Sequence, residues 1–140
     1  MEPVVVRSLH AAAIIAILLL ATAALKWWQK RRAGHAHSGL LPESGKAAVV
    51  YFHSPACGVC RTSQKPIIDR LLAHFGSNAW QLVMVDVSEQ MDIAREWGVT
   101  TLPSTYVIGA AGEVTHVNNG LTSEQTLRRQ IDAACVQAVT

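Results

Sequence analysis

Apolar and polar positions divide the chain into three stretches with different patterns. From Ala11 to Leu25 fifteen residues run with Thr22 as their only polar member. Adding Ser8 to His10 in front and Trp27 and Trp28 behind brings the segment to about 20 residues, the length that spans a bilayer as a helix. Residues 33–46 follow, with Gly34, Gly39, Gly45, Pro42, Ser38 and Ser44 and little periodicity, the pattern of a linker. From Ala47 onward short apolar runs alternate with helical spacing, the pattern of an α/β domain.

Within that third stretch the elements can be assigned in order. Ala47 to Phe52 is a continuous apolar run, as expected of a strand covered on both faces. A helix opens at Cys57 and carries Ile67, Ile68, Leu71, Leu72 and Phe75 on one face, with Pro66 kinking it and Gly76 ending it. Trp80 to Val87 reads as a central parallel strand, completing a βαβ unit. Ser88 is placed to cap a short helix burying Met91, Ala94 and Trp97, and Gly98 suits the left-handed residue that terminates it. Pro103 stands at the first position of a strand running to Ile108, a candidate cis position. Ala111-Gly112-Glu113 turns this strand into an antiparallel partner, Val114 to Val117. Thr122 and Gln125, in capping-box spacing, open a last helix burying Leu127, Ile131, Cys135 and Ala138 while Arg128, Arg129 and Asp132 face water.

Charge refines the reading of the first stretch. Residues 1–46 hold six Lys/Arg against two Asp/Glu, net +4, whereas 47–140 hold six against eight, net −2. The basic balance therefore belongs to the flank of the apolar segment and not to a nucleic-acid surface. Trp27 and Trp28 read as interfacial aromatics, with Lys26, Lys30, Arg31 and Arg32 as a basic stop, which favours an uncleaved anchor. Ala21-Thr22-Ala23 has the form of a cleavage site, so a signal peptide is the alternative. Four basic residues behind the segment against Arg7 and Glu2 in front place the C-terminal part in the cytoplasm by the positive-inside rule. A periplasmic domain on a bacterial inner membrane is the alternative, since disulfides persist there. His35 and His37 read as a solvated linker pair, and no pattern for nucleotide binding or a hydrolase triad is present.

The chemistry concentrates in Cys57-Gly58-Val59-Cys60. At a helix start, free backbone N–H groups and the helix dipole stabilise a thiolate, making Cys57 the candidate nucleophile. Cys60, one turn on, can close a disulfide with Cys57 and release whatever Cys57 has attacked. The competing readings are an inert pair and half of a zinc site, which needs four ligands, and no second Cys-x-x-Cys exists in the sequence. Cys135 reads as a small core residue. No metal and no cofactor are expected.

With the motif and the element order in place, the chain resembles the thioredoxin family. The likeness rests on Cys57-Gly58-Val59-Cys60 at a helix start, Gly98-Val99, Leu102-Pro103-Ser104 entering a strand, the Gly112-Glu113 hairpin, Gly120 and the final capped helix. The resemblance implies a thioredoxin-like fold, β-α-β-α-β-β-α with a central mixed four-stranded sheet, over residues 47–140, behind an anchor (1–32) and a linker (33–46). It implies dithiol–disulfide exchange with protein substrates through a redox-active Cys57/Cys60 pair, with Thr101, Leu102 and Pro103 as substrate-binding positions. Departures are Ala56 for the family's tryptophan, Tyr51 for its buried aspartate, Leu82 for its lysine, and Pro66 one residue late. A membrane-tethered disulfide reductase with an upstream thiol donor fits best. An oxidase or isomerase, or a non-catalytic metal-binding or docking module, stands as the alternative. Gly58-Val59 lacks the histidine of strongly oxidising relatives, which favours reduction.

Overall fold

The computed structural model describes residues 2–35, 40, 45–76 and 78–136, with side chains from residue 10 to 28 in the first of these segments. That segment is one helix, α1 (Glu2–His35), and its His10–Trp28 portion is long and apolar enough to cross a membrane. Ile14, Ile17, Leu19 and Leu20 are all well exposed along it. Most of the expected linker, with His37, and Ala138 of the last helix lie outside the described residues.

The domain follows as β1 (Ala47–His53), a five-residue π-turn (Cys60–Gln64), α2 (Lys65–Phe75), β2 (Trp80–Asp86), α3 (Met91–Glu96), β3 (Ser104–Ile108), β4 (Val114–Asn119) and α4 (Glu124–Val136). The sheet order is β2-β1-β3-β4, with β1 parallel to β2 and the other pairs antiparallel. This is the expected mixed four-stranded sheet in the expected element order.

Alternation along β1 sorts its side chains between two cores. Ala48, Val50 and Phe52 join Val85, Tyr106, Ile108 and Val117 beneath Ala94 and Trp97 on the α3 side. Ala47, Val49 and Tyr51 join Trp80 and Val107 beneath Ile68 and Leu71 of α2 and Leu127, Ile131 and Ala134 of α4. Covered on both faces, β1 has no polar position until His53, which explains its unbroken apolar run.

Five local expectations are corrected. β2 is an edge strand and not a central one, with Met84 42% exposed. Met91 faces solvent, and Ser88 does not cap α3: its hydroxyl donates to Asp86 Oδ1, while Gln90 occupies the cap without a side-chain bond. At α4 the cap is Ser123, whose Oγ accepts the Thr126 N–H, and not Thr122. Ala134, not Cys135, takes the buried position on α4. Cys135 is half-buried, its thiol 3.4 Å from the Ala79 carbonyl, and burial followed by the charge of Asp132 pushes its pKa up.

The α3-side core is keyed by three rings. Phe52, Trp97 and Tyr106 pack with centroids 5.3–5.8 Å apart, and the Tyr106 hydroxyl donates to the Trp97 carbonyl at 2.9 Å. That bond holds the end of α3 to the sheet. Replacing Tyr106 with Phe leaves the ring packing intact but a buried carbonyl unpaired, at a cost of about 1–3 kcal/mol. Urea denaturation of the variant is expected to show a lower midpoint with an unchanged slope; an unchanged midpoint would mean that the hydroxyl contributes nothing.

Candidate active site

Backbone geometry places the cysteine pair where β1 leaves the sheet. Ser54 takes up the slack of the turn: its carbonyl accepts the Cys57 N–H at 3.0 Å and its Oγ accepts the Ala56 N–H at 3.2 Å. Helical backbone begins at Gly58, so Cys57 stands at the helix start as expected. Cys57 and Cys60 form a disulfide with Cα atoms 5.3 Å apart. Cys57 is half-buried, whereas Cys60 is only 1% exposed. The Cys60 N–H points at Cys57 Sγ from 3.2 Å, a donor aimed at the sulfur that faces out.

The late proline is absorbed by the π-turn. The Lys65 N–H reaches back five residues to the Cys60 carbonyl, and α-helical geometry resumes with Pro66 in its first turn, where a missing N–H costs least. The expected kink at Pro66 is thus a widened turn just ahead of it. Within that turn Cys60 and Gln64 are buried and continue into Ile68, a stripe at four-residue spacing. Gln64 was missed from the sequence. A glutamine within an otherwise apolar four-residue series is the signal that marks it. Its carboxamide meets one residue at both ends: the Thr122 N–H donates to Oε1 at 2.8 Å, and Nε2 donates to the Thr122 carbonyl at 3.3 Å.

Tyr51 lies beneath the turn, 1% exposed, and its hydroxyl donates to the Cys60 carbonyl at 3.0 Å. Burial, with a smaller effect from the charge of Asp69, pushes its pKa up to about 12, so it stays protonated at neutral pH. His53 stacks on Tyr51 with centroids 5.2 Å apart. Both rings line a cavity of about 350 Å³ that also touches Cys60, Arg61 and Met84. No carboxylate lines this cavity, and among the described residues no three His, Cys, Asp or Glu side chains form a group suited to a metal ion.

The second half of the site comes from β3. Ser104 pairs with Phe52 across β1, so the residues just before β3 lie at the end of the sheet from which the cysteine turn departs. The Leu102–Pro103 peptide is cis. Pro103 is buried, Thr101 is exposed, and half-buried Leu102 packs on the same core cluster as Cys57. The loop is tied by Ser104 Oγ donating to the Thr101 carbonyl at 2.8 Å and by the Gly120 N–H donating to the Pro103 carbonyl at 2.8 Å. Among the described residues neither backbone polar group of Leu102 has a hydrogen-bond partner.

A mixed four-stranded sheet with a Cys-x-x-Cys disulfide at a helix start and a cis-proline loop at the same sheet end defines the class: a thioredoxin-like α/β domain. The thioredoxin profile matches residues 32–133, and the chain belongs to the thioredoxin family. It is similar to thioredoxin H2 of Arabidopsis thaliana, 32% identical over 81 residues, 58% of this chain and 59% of that protein. It is also similar to NADPH-dependent thioredoxin reductase 3 of Arabidopsis thaliana, 31% identical over 74 residues, 53% of this chain and 14% of that protein. The chain thus spans less than two thirds of either relative. Among solved structures, Fasciola hepatica thioredoxin is 26% identical with a TM-score of 0.57, covering 65% of this chain and 83% of that one.

The tyrosine beneath the turn sets an alkaline limit. An unfolded tyrosine ionises near pH 10, whereas Tyr51 holds its proton to about 12 and Tyr106, desolvated by burial, is shifted upward too. The unfolded state therefore loses protons first as pH rises, so stability is full below about pH 10 and declines above it. Urea midpoints measured from pH 9 to 12 are expected to fall less steeply for Tyr51→Phe than for the parent. Equal slopes would mean that Tyr51 ionises in the native state as it does in the unfolded chain.

Proposed function

We propose that this protein reduces disulfides of partner proteins at a membrane surface. The observation that carries the reading is the asymmetry of the pair: Cys57 half open with the Cys60 N–H aimed at its sulfur, Cys60 buried behind it. In the reduced protein the Cys57 thiolate attacks one sulfur of a partner disulfide. A Cys57–partner bond forms and the first partner thiolate leaves. Cys60, once deprotonated, attacks Cys57 Sγ; the Cys57–Cys60 bond forms and the second partner thiolate leaves. Two electrons pass to the partner, and an upstream dithiol donor restores the pair. The unpaired N–H and carbonyl of Leu102 supply a strand-like edge for the partner backbone, with Thr101 and Pro103 framing it.

Cys60 has no carboxylate to take its proton. The cavity behind it offers the alternative: water entering between Tyr51, Met84 and Arg61 carries the proton to His53 or to bulk solvent. Tyr51, protonated at neutral pH, orients the Cys60 carbonyl and is not the base.

The apolar part of α1 serves as a single-pass anchor for residues 47–140, with the linker 33–46 between them. The basic flank favours the cytoplasmic face, and the periplasmic face is the alternative.

The exchange reading is tested on the full chain in detergent with Cys135→Ser. A Cys57–Cys60 potential near about −270 mV is expected of a reductase, and one near about −120 mV would mark an oxidant instead. Cys60→Ser is expected to accumulate a Cys57–partner adduct, and His53→Ala to slow resolution several-fold near neutral pH. Metal retention with both thiols protected from alkylation would replace the exchange reading by a metal-binding one.

Anchoring is tested by fractionation of cells expressing the full chain. It is expected to stay with membranes after an alkaline carbonate wash and at full length, whereas a shortened soluble product would identify a cleaved signal peptide.

A further inference from the structure

Gln64 is a fully buried polar side chain of the redox turn that the exchange chemistry leaves unused. A buried carboxamide is tolerated only when its donors and acceptor are met. Here Thr122 N–H meets Oε1 and Nε2 meets the Thr122 carbonyl, a two-point clamp made entirely on main-chain groups 58 residues away in sequence.

Thr122 belongs to the short loop between β4 and α4, and that loop is fixed independently. Thr122 Oγ1 donates to the Gly120 carbonyl at 3.2 Å, and the Gly120 N–H donates to the Pro103 carbonyl at 2.8 Å. Ser123, the next residue, caps α4. A chain of hydrogen bonds therefore runs from the cysteine turn through Gln64, Thr122 and Gly120 to the cis-proline loop. The π-turn is what places Gln64 on it. One extra residue in a helical turn rotates everything beyond it by about 100°, and the widened ring absorbs that rotation with Cys60 and Gln64 both facing inward.

We infer that Gln64 is a positioning residue for the resolving step, an inference that rests on the exchange reading above. While Cys57 is held in a mixed disulfide, no bond within the pair fixes Cys60. Gln64 keeps the main chain of Cys60 in register with the loop that holds the partner, so the Cys60 thiolate stays within reach of Cys57 Sγ. In the step it serves, Cys60 has already passed its proton to solvent. The Cys60–Cys57 bond forms, the Cys57–partner bond breaks, and the partner leaves as a thiolate carrying the electron pair.

The test uses the full chain in detergent with Cys135→Ser, and Gln64→Met, which keeps side-chain length and volume but removes the amide donor and acceptor. Alkylation of reduced Cys57 by iodoacetamide, a probe of the first attack, is expected within about twofold of the parent. Resolution of a mixed disulfide with 2-nitro-5-thiobenzoate is expected to slow about tenfold. The equilibrium constant for Cys57–Cys60 closure against glutathione is expected to fall about tenfold, which is a potential about 30 mV less negative. A contact that only stabilised the fold would leave the ratio of attack to resolution unchanged, and parental resolution in Gln64→Met overturns the inference. Should Gln64→Met fail to fold, amide hydrogen exchange of Thr122 in the parent decides: protection in both oxidised and reduced protein supports the clamp, and loop-like exchange in either state overturns it. If the parent forms no reversible Cys57–Cys60 disulfide, the exchange reading fails and this inference falls with it. A parent that exchanges normally beside a Gln64→Met variant that does the same overturns the clamp alone.

Discussion

The Cys60 carbonyl is the point at which the demands on this domain meet. It accepts the Lys65 N–H from five residues ahead and the Tyr51 hydroxyl from the strand beneath. The first bond exists because the chain needs one more residue than an α-turn holds before Pro66 begins regular helix. The second exists because a tyrosine stands where the family carries a carboxylate. Together they fix the orientation of the peptide that carries the buried thiol, and hence how Cys60 addresses Cys57. Breaking the widened turn would displace Cys60, Gln64 and Ile68 together, since all three lie on one buried stripe.

The exchange of a carboxylate for a phenol changes the chemistry available behind the pair. A carboxylate accepts hydrogen bonds and takes up a proton; the Tyr51 hydroxyl donates to a carbonyl and, with its pKa raised to about 12, holds its own proton. It is a structural donor in place of a base. On the exchange reading proposed above, the cavity beside it offers the route by which solvent reaches Cys60 and takes its proton. His53, at the end of β1 and opposite Asp86 in the β1–β2 register, is the titratable ring at that opening. Asp86 stays ionised beside it, its carboxyl held below the usual range chiefly by the Ser88 hydroxyl, with the charge of His53 contributing.

Much of the fold was legible because burial writes itself into sequence as periodicity. The unbroken run of β1, the helix spacing from Ile67 to Phe75 and the Leu102-Pro103-Ser104 entry into β3 each reported a real environment. The errors share a cause. An apolar run reports what covers a strand's faces but not what lies beside it in the sheet, so β2 read as central while it occupies the edge. At α4 the capping pattern at Thr122 was a real pattern, but the Thr122 backbone is committed to Gln64, and Ser123 performs the capping. Further along α4 the buried face steps three residues from Ile131, to Ala134, and not four, to Cys135. Cys57, Cys60 and Pro103 were legible as a constellation. Gln64 carried a mark of burial, a glutamine within an apolar four-residue series, but its partner was not legible, because that partner is a main-chain group and main-chain groups leave no mark in the sequence.

The two halves of the site hang from neighbouring strands, β1 and β3, which are the inner pair of the sheet. Their antiparallel register sets Ser104 opposite Phe52, so the cysteine turn and the cis-proline loop leave the sheet at one end whatever happens at the strand edges. Proximity in the sheet does not by itself fix the distance between the two loops, since Cys57 lies five residues beyond the last pair although Pro103 directly adjoins it. Side-chain packing narrows it, since Cys57 and Leu102 share a core cluster. Packing of apolar atoms is non-directional, however, and leaves rotation free where exchange chemistry requires three sulfurs in line. Directional bonds must supply the rest, and the Gln64–Thr122–Gly120–Pro103 series supplies them, running between the two loops through the buried side chain of Gln64 and the buried Thr122.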